Sequence, residues 1–353
     1  MMRKGLLAVA SVALVVGMFE VLLRIAWDNP YAGELPDRLA FIPVAHGRMD
    51  RDVDRGLIDP EIRFVPLRAD DRGYVQPGIR HSDPDLTIAF LGGSTTANTT
   101  VQEELRFHAL AARNLERGGL RVNALNPSLP GSSLHDSLNV FLNLVAFDEP
   151  DIVVVMHATN DIGLLKHPRG YQARESQPVS WRDQLRWASQ QLSAQLSLGG
   201  VLRQVRFAFH PKLGPLPREA MEAKNDPALA KVPTGPFRAR LVAFVQLCRA
   251  FGAEPVLMTQ PLSSSRSALT PDWADLGNQD VFNAIIREVG REQDVLVIDL
   301  VSRLREIPGW DEPDRFFWDG MHVNDEGSRV VAGMISEALA PLALEITAAQ
   351  GDR

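Results

Sequence analysis

Short apolar runs alternate with longer amphipathic segments from residue 87 to the end of the chain. The runs have the length of strands and are mostly rich in Val, Ile and Leu, as expected for parallel strands that are buried on both faces. They cover residues 87–91, 121–125, 151–156, 254–259 and 294–299. This pattern predicts a parallel sheet of about five strands.

The segments between these runs repeat their apolar residues at helical spacing. They cover residues 102–116, 135–147, 237–251 and 280–292, and a last one runs from 325 to about 342. Gly118 and Gly119 follow the first segment and Gly252 follows the third, where glycine is a common helix stop. Alternating strands and helices predict an α/β fold, a three-layer α/β/α domain over residues 86–345.

An insertion at about residues 164–235 interrupts the alternation. Within it, apolar residues recur at helical spacing: Trp181, Leu185, Ala188, Leu192 and Leu196. Three interpretations stay open, namely a packed surface helix, a lid or wall of a substrate groove, and a helix on a membrane surface.

The N-terminus carries a long apolar stretch. Arg3 and Lys4 precede it, and residues 5–27 are long enough to span a bilayer. We predict that residues 1–27 form a signal anchor, a single transmembrane helix with its N-terminus inside and the body on the extracytoplasmic side. A cleaved signal peptide and a buried helix are the alternatives. Residues 28–85 contain several prolines and scattered charges, which predict a mostly irregular lead-in.

The charge balance excludes some partners. The net charge is −7 and there is no block of Lys and Arg, so we expect no nucleic-acid partner. Without the four charged residues of the N-terminal stretch the body carries −9, which gives it no attraction to anionic lipids. Membrane association would therefore rest on the anchor. Cys248 is the single cysteine, so no intrachain disulfide can form.

Polar residues follow the predicted strands at four places. Ser94 follows the first strand, Gly131 lies beyond the second, Asn160 follows the third, and Asp319 and His322 lie beyond the fifth. Because the carboxyl ends of parallel strands meet at one edge of a sheet, we expect these residues to share a cleft.

This set of residue types matches the needs of acyl transfer. A serine hydroxyl such as that of Ser94 needs a base, which His322 can supply. Asp319 can hold the imidazole in the required tautomer. The N–H groups of Ser94 and Gly131 and the amide of Asn160 can form an oxyanion hole.

Each of these residues also has a more ordinary interpretation. Ser94 could cap a helix, Gly131 could serve a turn, and Asn160 could do either. Asp319 and His322 could cap a helix or bind a metal, although no cluster of His and Cys supports a metal site or a cofactor. Gly-x-Ser-x-Gly is broken, because Thr96 stands where its last glycine belongs.

Taken in order, the four places resemble the blocks of the SGNH (GDSL-like) hydrolase superfamily. The blocks are Gly92-Gly93-Ser94-Thr95, residues 126–131, Ala158-Thr159-Asn160-Asp161 and Asp319-Gly320-Met321-His322. The first block also looks like the first block of a membrane-anchored bacterial subset of this superfamily. Ala158 stands where the third block usually has glycine. The insertion at about residues 164–235 is longer than the corresponding segment of a minimal member of the superfamily.

The resemblance implies a flavodoxin-like fold and a Ser94–His322–Asp319 triad with an oxyanion hole of Ser94, Gly131 and Asn160. It also implies an acylated carbohydrate or another ester as substrate, and no cofactor or metal. We expect an esterase on the outer side of a bacterial cytoplasmic membrane that removes O-acetyl groups from an envelope or secreted polysaccharide. A polysaccharide O-acetyltransferase, a lipid esterase and a noncatalytic glycan-binding module are the alternatives.

Overall fold

The structure is a computed structural model, and it describes most of the chain from residue 64 onward together with the N-terminal helix. The described residues are 2–27, 51–54, 62, 64–78, 80–167, 169–175, 197–198, 201, 232–264 and 276–351.

A parallel sheet of five strands forms the centre of the domain. Its strands are β3 (Leu86–Gly92), β4 (Val122–Leu125), β5 (Ile152–Met156), β6 (Glu254–Met258) and β7 (Leu296–Ile298). Their order across the sheet is β4-β3-β5-β6-β7, and every neighbouring pair is parallel. All five predicted strands are confirmed, with shifts of one or two residues at their ends.

The helices lie on both sides of this sheet. Their bounds are α2 (Ser94–Ala97), α3 (Phe107–Glu116), α4 (Leu134–Asn143), α5 (Thr159–Leu165), α6 (Gly235–Ala250), α7 (Leu276–Gln293), α8 (Leu300–Arg305) and α9 (Asp325–Gly351). The three-layer α/β/α prediction is confirmed. The helix expected at 102–116 is a 3-10 turn followed by α3, and α9 extends nine residues beyond the expected end.

The domain has two hydrophobic cores, one on each face of the sheet. Neighbouring residues of a strand pack in different cores, because successive side chains point to opposite faces. Ala89 and Leu91 of β3 pack in one core with residues of α4, α6 and α7. Ile88 and Phe90 pack in the other core with residues of α3, α8 and α9. Burial on both faces is why these strands appear in the sequence as mostly apolar runs.

The lead-in is packed onto the domain where it is described. β1 (Arg51–Asp54) and β2 (Phe64–Leu67) form an antiparallel pair. Val65, Leu67 and Val75 have no exposed surface, and burying a side chain of this kind contributes roughly 1.5–3 kcal/mol. The boundary placed between lead-in and domain at residue 86 stays a prediction.

The N-terminal stretch forms one helix, α1 (Met2–Ala26). Its described apolar side chains are largely exposed, including Leu14 at 67% and Ile25 at 79%. Among the described residues, the helix long and apolar enough to cross a membrane by length and composition is residues 325–350 of α9. α9 is packed as a core helix, since its residues Ile335 and Leu339 are fully buried in the domain core.

Most of the predicted insertion at 164–235, including its helical pattern from Trp181 to Leu196, lies outside the described residues.

Candidate active site

The predicted site residues lie at the carboxyl edge of the sheet. β3 and β5 are neighbours, and Gly92 pairs with Met156 at their ends. Ser94 therefore begins α2 just beyond one strand, and Asn160 lies in the first turn of α5 just beyond the other. Asp319 and His322 come to this edge from the segment between α8 and α9.

Ser94, His322 and Asp319 form a continuous hydrogen-bonded chain. The distance from Ser94 Oγ to His322 Nε2 is 2.8 Å, and from His322 Nδ1 to Asp319 Oδ2 it is also 2.8 Å. Both distances are within the range for a nucleophile, its base and the group that orients the base. The structure thus brings together the three residues that the sequence assigned to a triad.

Backbone groups hold the carboxylate in place. Asp319 Oδ1 accepts the N–H groups of Met321 at 3.0 Å and His322 at 2.7 Å. The turn between them is closed by a hydrogen bond from the N–H of Trp318 to the carbonyl of His322, and Gly320 has a φ of +84°. Glycine suits this position because it adopts positive φ without steric cost.

The electrostatics favour an ionised Asp319 beside His322. Burial opposes the charge, but His322 and two N–H groups outweigh it and lower the pKa of Asp319. Burial likewise lowers the pKa of His322, but the charge and hydrogen bond of Asp319 outweigh that effect and raise it above 6.5. A raised pKa makes the imidazole a stronger base for the hydroxyl of Ser94.

The amide of Asn160, one of the expected oxyanion groups, lies beside Gly93, the residue before Ser94. Asn160 Nδ2 donates to the carbonyl of Ser132 at 2.8 Å, which orients the amide and leaves its second N–H for another acceptor. Gly93 packs against this amide, because a Cβ added to Gly93 would be 2.5 Å from Asn160 Nδ2. Gly131 has a φ of +77°, the left-handed conformation that a turn glycine serves.

The helix-cap interpretation of Ser94 is wrong. Gly93 holds the N-cap position of α2, and Ser94 is the first residue of the helix with its hydroxyl facing His322. Asn160 does not cap α5 either, since the N-cap position belongs to Ala158. Ala158 has a φ of −167°, which lies outside the positive-φ region that favours glycine, so the third block does not need a glycine here for a left-handed backbone.

A family model described as the GDSL-like lipase/acylhydrolase family matches residues 90–330. The chain belongs to this family. It is a serine ester hydrolase, which confirms the resemblance drawn from the four blocks. No protein of curated function matches the sequence.

Solved structures similar to this GDSL-like hydrolase include a lipase/acylhydrolase from Enterococcus faecalis, with 18% identity, a TM-score of 0.46, and coverage of 72% of this chain and 96% of that one. The acetyl xylan esterase AlAXEase has 16% identity and a TM-score of 0.46, with 72% and 100% coverage. Axe2, an acetylxylan esterase from Geobacillus stearothermophilus, has 14% identity and a TM-score of 0.45, with 72% and 94% coverage.

Thr96 explains why this GDSL-like hydrolase lacks the Gly-x-Ser-x-Gly pattern. A Cβ at Gly92 would be 1.9 Å from Thr96 Oγ1 and 2.9 Å from the carbonyl of Met156. The side chain of Thr96 therefore occupies the space that a side chain at position 92 would need. Position 92, before the serine, requires a glycine, whereas position 96, after it, holds a threonine.

Asn126 and Asp161 belong to the second and third blocks, but the sequence assigned them no individual role. Asn126 Nδ2 donates to the carbonyl of Thr96 at 3.0 Å, which ties the second block to the nucleophile helix. The carbonyl of Asn126 accepts the N–H of Val75 at 2.8 Å, so the lead-in supports the site from behind. Asp161 accepts the N–H of Leu134 and the hydroxyl of Tyr171. The pattern finds these residues but not their hydrogen-bond partners, because Thr96 and Leu134 are distant from them along the chain.

We expect Gly93→Ala to lower kcat while the protein stays folded. The backbone of Gly93 has a φ of −94°, which alanine adopts, but the new methyl group would displace the amide of Asn160. Loss of one oxyanion donor costs about 100- to 1000-fold in kcat. Ester hydrolysis and thermal unfolding of the purified full chain would measure the two effects.

Gly333→Ala in α9 is the matched control, because an added Cβ there meets no atom within 4 Å. It should keep full activity. Wild-type kcat in folded Gly93→Ala would show that the amide of Asn160 does not stabilise the transition state from this position.

Proposed function

We propose that the protein is an extracytoplasmic esterase in which Ser94 forms an acyl-enzyme, and that its substrate is an O-acetylated envelope or secreted polysaccharide. The observation that carries the chemistry is the hydrogen-bonded chain from Ser94 Oγ through His322 to Asp319, with 2.8 Å at each step.

The reaction follows from this geometry. His322 Nε2 takes the proton of Ser94 as Oγ attacks the ester carbonyl. The carbonyl oxygen becomes an oxyanion, which the N–H groups of Ser94 and Gly131 and the amide of Asn160 stabilise. His322 then protonates the leaving alcohol, and Asp319 stabilises the imidazolium in between. Water repeats the sequence on the acyl-enzyme and releases the acid.

The N-terminal helix supports the extracytoplasmic location. α1 has 25 residues, which at 1.5 Å per residue exceeds the 30 Å or so of a bilayer core. Its described apolar side chains, such as Leu14 and Ile25, are exposed, and Arg3 and Lys4 at its start favour an N-terminus inside the cell. An anchor in this orientation would hold the catalytic domain on the side where envelope polysaccharides are found.

The substrate proposal predicts release of acetate from an O-acetylated oligosaccharide. The full chain in detergent would be incubated with this substrate and, separately, with p-nitrophenyl acetate, butyrate and octanoate. We expect free acetate and a de-acetylated sugar by NMR, and a fall in kcat/KM from acetate to octanoate. Ser94→Ala is the control for uncatalysed release.

Other outcomes would point to the alternatives. Transfer of acetyl to a second, unacetylated oligosaccharide without free acetate would indicate an O-acetyltransferase. A preference for octanoate would indicate a lipid esterase. Binding of the oligosaccharide without either product would indicate a glycan-binding module.

A further inference from the structure

A buried polar cluster lies between the nucleophile helix and the oxyanion helix. It contains Gln260, two residues beyond the end of β6, with Thr95 of α2 and Thr159 of α5. Gln279 and Asn283 complete it from one face of α7. Their exposed fractions run from 0% for Thr159 to 8% for Thr95. Buried polar groups are kept only where they are paired, so the pairing inside this cluster identifies what each member holds in place.

The side chain of Gln260 bridges the two catalytic helices. Its Oε1 accepts the N–H of Thr159 at 2.9 Å, and its Nε2 donates to Thr95 Oγ1 at 3.0 Å. Thr95 directly follows Ser94, and Thr159 directly precedes Asn160. One amide group therefore contacts the neighbour of the expected nucleophile and the neighbour of the expected oxyanion donor.

Helix α7 holds Gln260 itself in place. Asn283 pairs with its backbone in both directions, accepting the N–H and donating to the carbonyl at 2.9 Å each. Gln279 Nε2 donates to the same carbonyl at 2.8 Å, and Gln279 Oε1 accepts the hydroxyl of Thr159 at 3.1 Å. The bridging amide is thus attached to a fixed backbone, as a positioning group must be.

The structure assigns to Gln260 the role of a positioning residue that sets the separation of Ser94 and the Asn160 amide. The assignment rests on the roles proposed above for those two residues. β3 and β5 keep their register up to Gly92 and Met156, and past these ends the chain turns into two separate short helices. Gln260 links those helices directly beyond the strands. A shift of about 1 Å in a catalytic group can cost about 100-fold in rate, so the link has a measurable consequence.

The first test is Gln260→Met in the full chain. Methionine fills a similar volume without either hydrogen bond. We expect kcat to fall about 10- to 100-fold with KM changed less than about twofold, because the binding surface stays while the geometry of the transition state loosens. The rate of fluorophosphonate labelling at Ser94 should fall in parallel.

A matched control separates positioning from stability. Asn123→Leu removes another buried amide, one that accepts from the N–H groups of Arg80 and His81 beside β4. We expect it to lower Tm and leave kcat unchanged. If Gln260→Met lowers Tm in the same way but keeps wild-type kcat and labelling, Gln260 is only structural and the inference fails.

A double variant tests the route of the effect. When Asn160→Ala is already present, adding Gln260→Met should lower kcat by a much smaller factor than Gln260→Met does alone. The reason is that the effects of residues that act through one another are not additive. Full additivity would show that Gln260 does not act through Asn160. A Ser94→Ala protein with undiminished activity would instead defeat the proposed function, so the two failures can be told apart.

Thr95 provides a second route should Gln260→Met fail to fold. Thr95→Ser keeps the hydroxyl that Gln260 contacts, whereas Thr95→Val keeps the shape and loses it. We expect serine to retain kcat within about threefold and valine to lower it about 10-fold or more, by the same geometric argument. Equal activity of the two variants would contradict the bridge.

Discussion

Ser94→Ala should lower kcat for ester hydrolysis on the order of a million-fold, as loss of the nucleophile does in other serine hydrolases. The reason is that Ser94 Oγ is the atom within 2.8 Å of His322 Nε2, and a methyl group cannot form the acyl-enzyme. A fluorophosphonate probe should label the wild type on Ser94 and leave the variant unlabelled, as read by mass spectrometry of the labelled peptide.

Ser336→Ala is the matched control for this result. The hydroxyl of Ser336 donates to the carbonyl of Gly333 within α9 and lies outside the proposed site. It should keep wild-type kcat and labelling. Activity of Ser94→Ala within tenfold of the wild type would rule out the acyl-enzyme at this residue.

Asp319→Asn should lower kcat about 10,000-fold and move the pH profile. An asparagine leaves the backbone contacts but presents an amide to His322 Nδ1, which favours the wrong tautomer. In the wild type the neutral form of His322 accepts the proton, so kcat/KM should fall as pH drops through the raised pKa of this residue, above 6.5. Without the carboxylate only the effect of burial remains, and the acid limb should shift to lower pH.

The shift in the pH profile is the diagnostic part of this prediction. Asp85→Asn is the control, since Asp85 pairs with Arg121 before the start of β3, away from the catalytic edge. It should change neither kcat nor the acid limb. An acid limb in Asp319→Asn at the same pH as in the wild type would mean that another group controls the ionisation.

Much of the fold could be predicted because the strands are buried on both faces. Ile88, Ala89 and Phe90 of β3 all have 0% exposure, so the sequence shows an apolar run at this strand. The bounds of α2 and α5 do not show in the sequence, because four and seven residues are too short to display a helical period.

The contribution of the lead-in could not be predicted, because its partners are distant in the chain. The prolines and charges of residues 28–85 predict irregular structure, and Tyr74 and Val75 are nevertheless fully buried. Arg106 donates to the carbonyls of Pro66 and Gln76, and His108 contacts the carbonyl of Pro77. Burial lowers the pKa of His108 to about 3, so it remains neutral in this packed position.

By itself, the sequence determined the residue types of the site and their order after the strands, because strand ends and reactive side chains are local features. Only the tertiary structure decided which of them touch. Ser94 and His322 are 228 positions apart, and the sheet and the turn at Gly320 bring their atoms to 2.8 Å. The role of Gln260 could be seen only in the tertiary structure. In the sequence it is one more polar residue after β6. Its side chain contacts Thr95 and Thr159 only because the parallel strands β3, β5 and β6 end side by side.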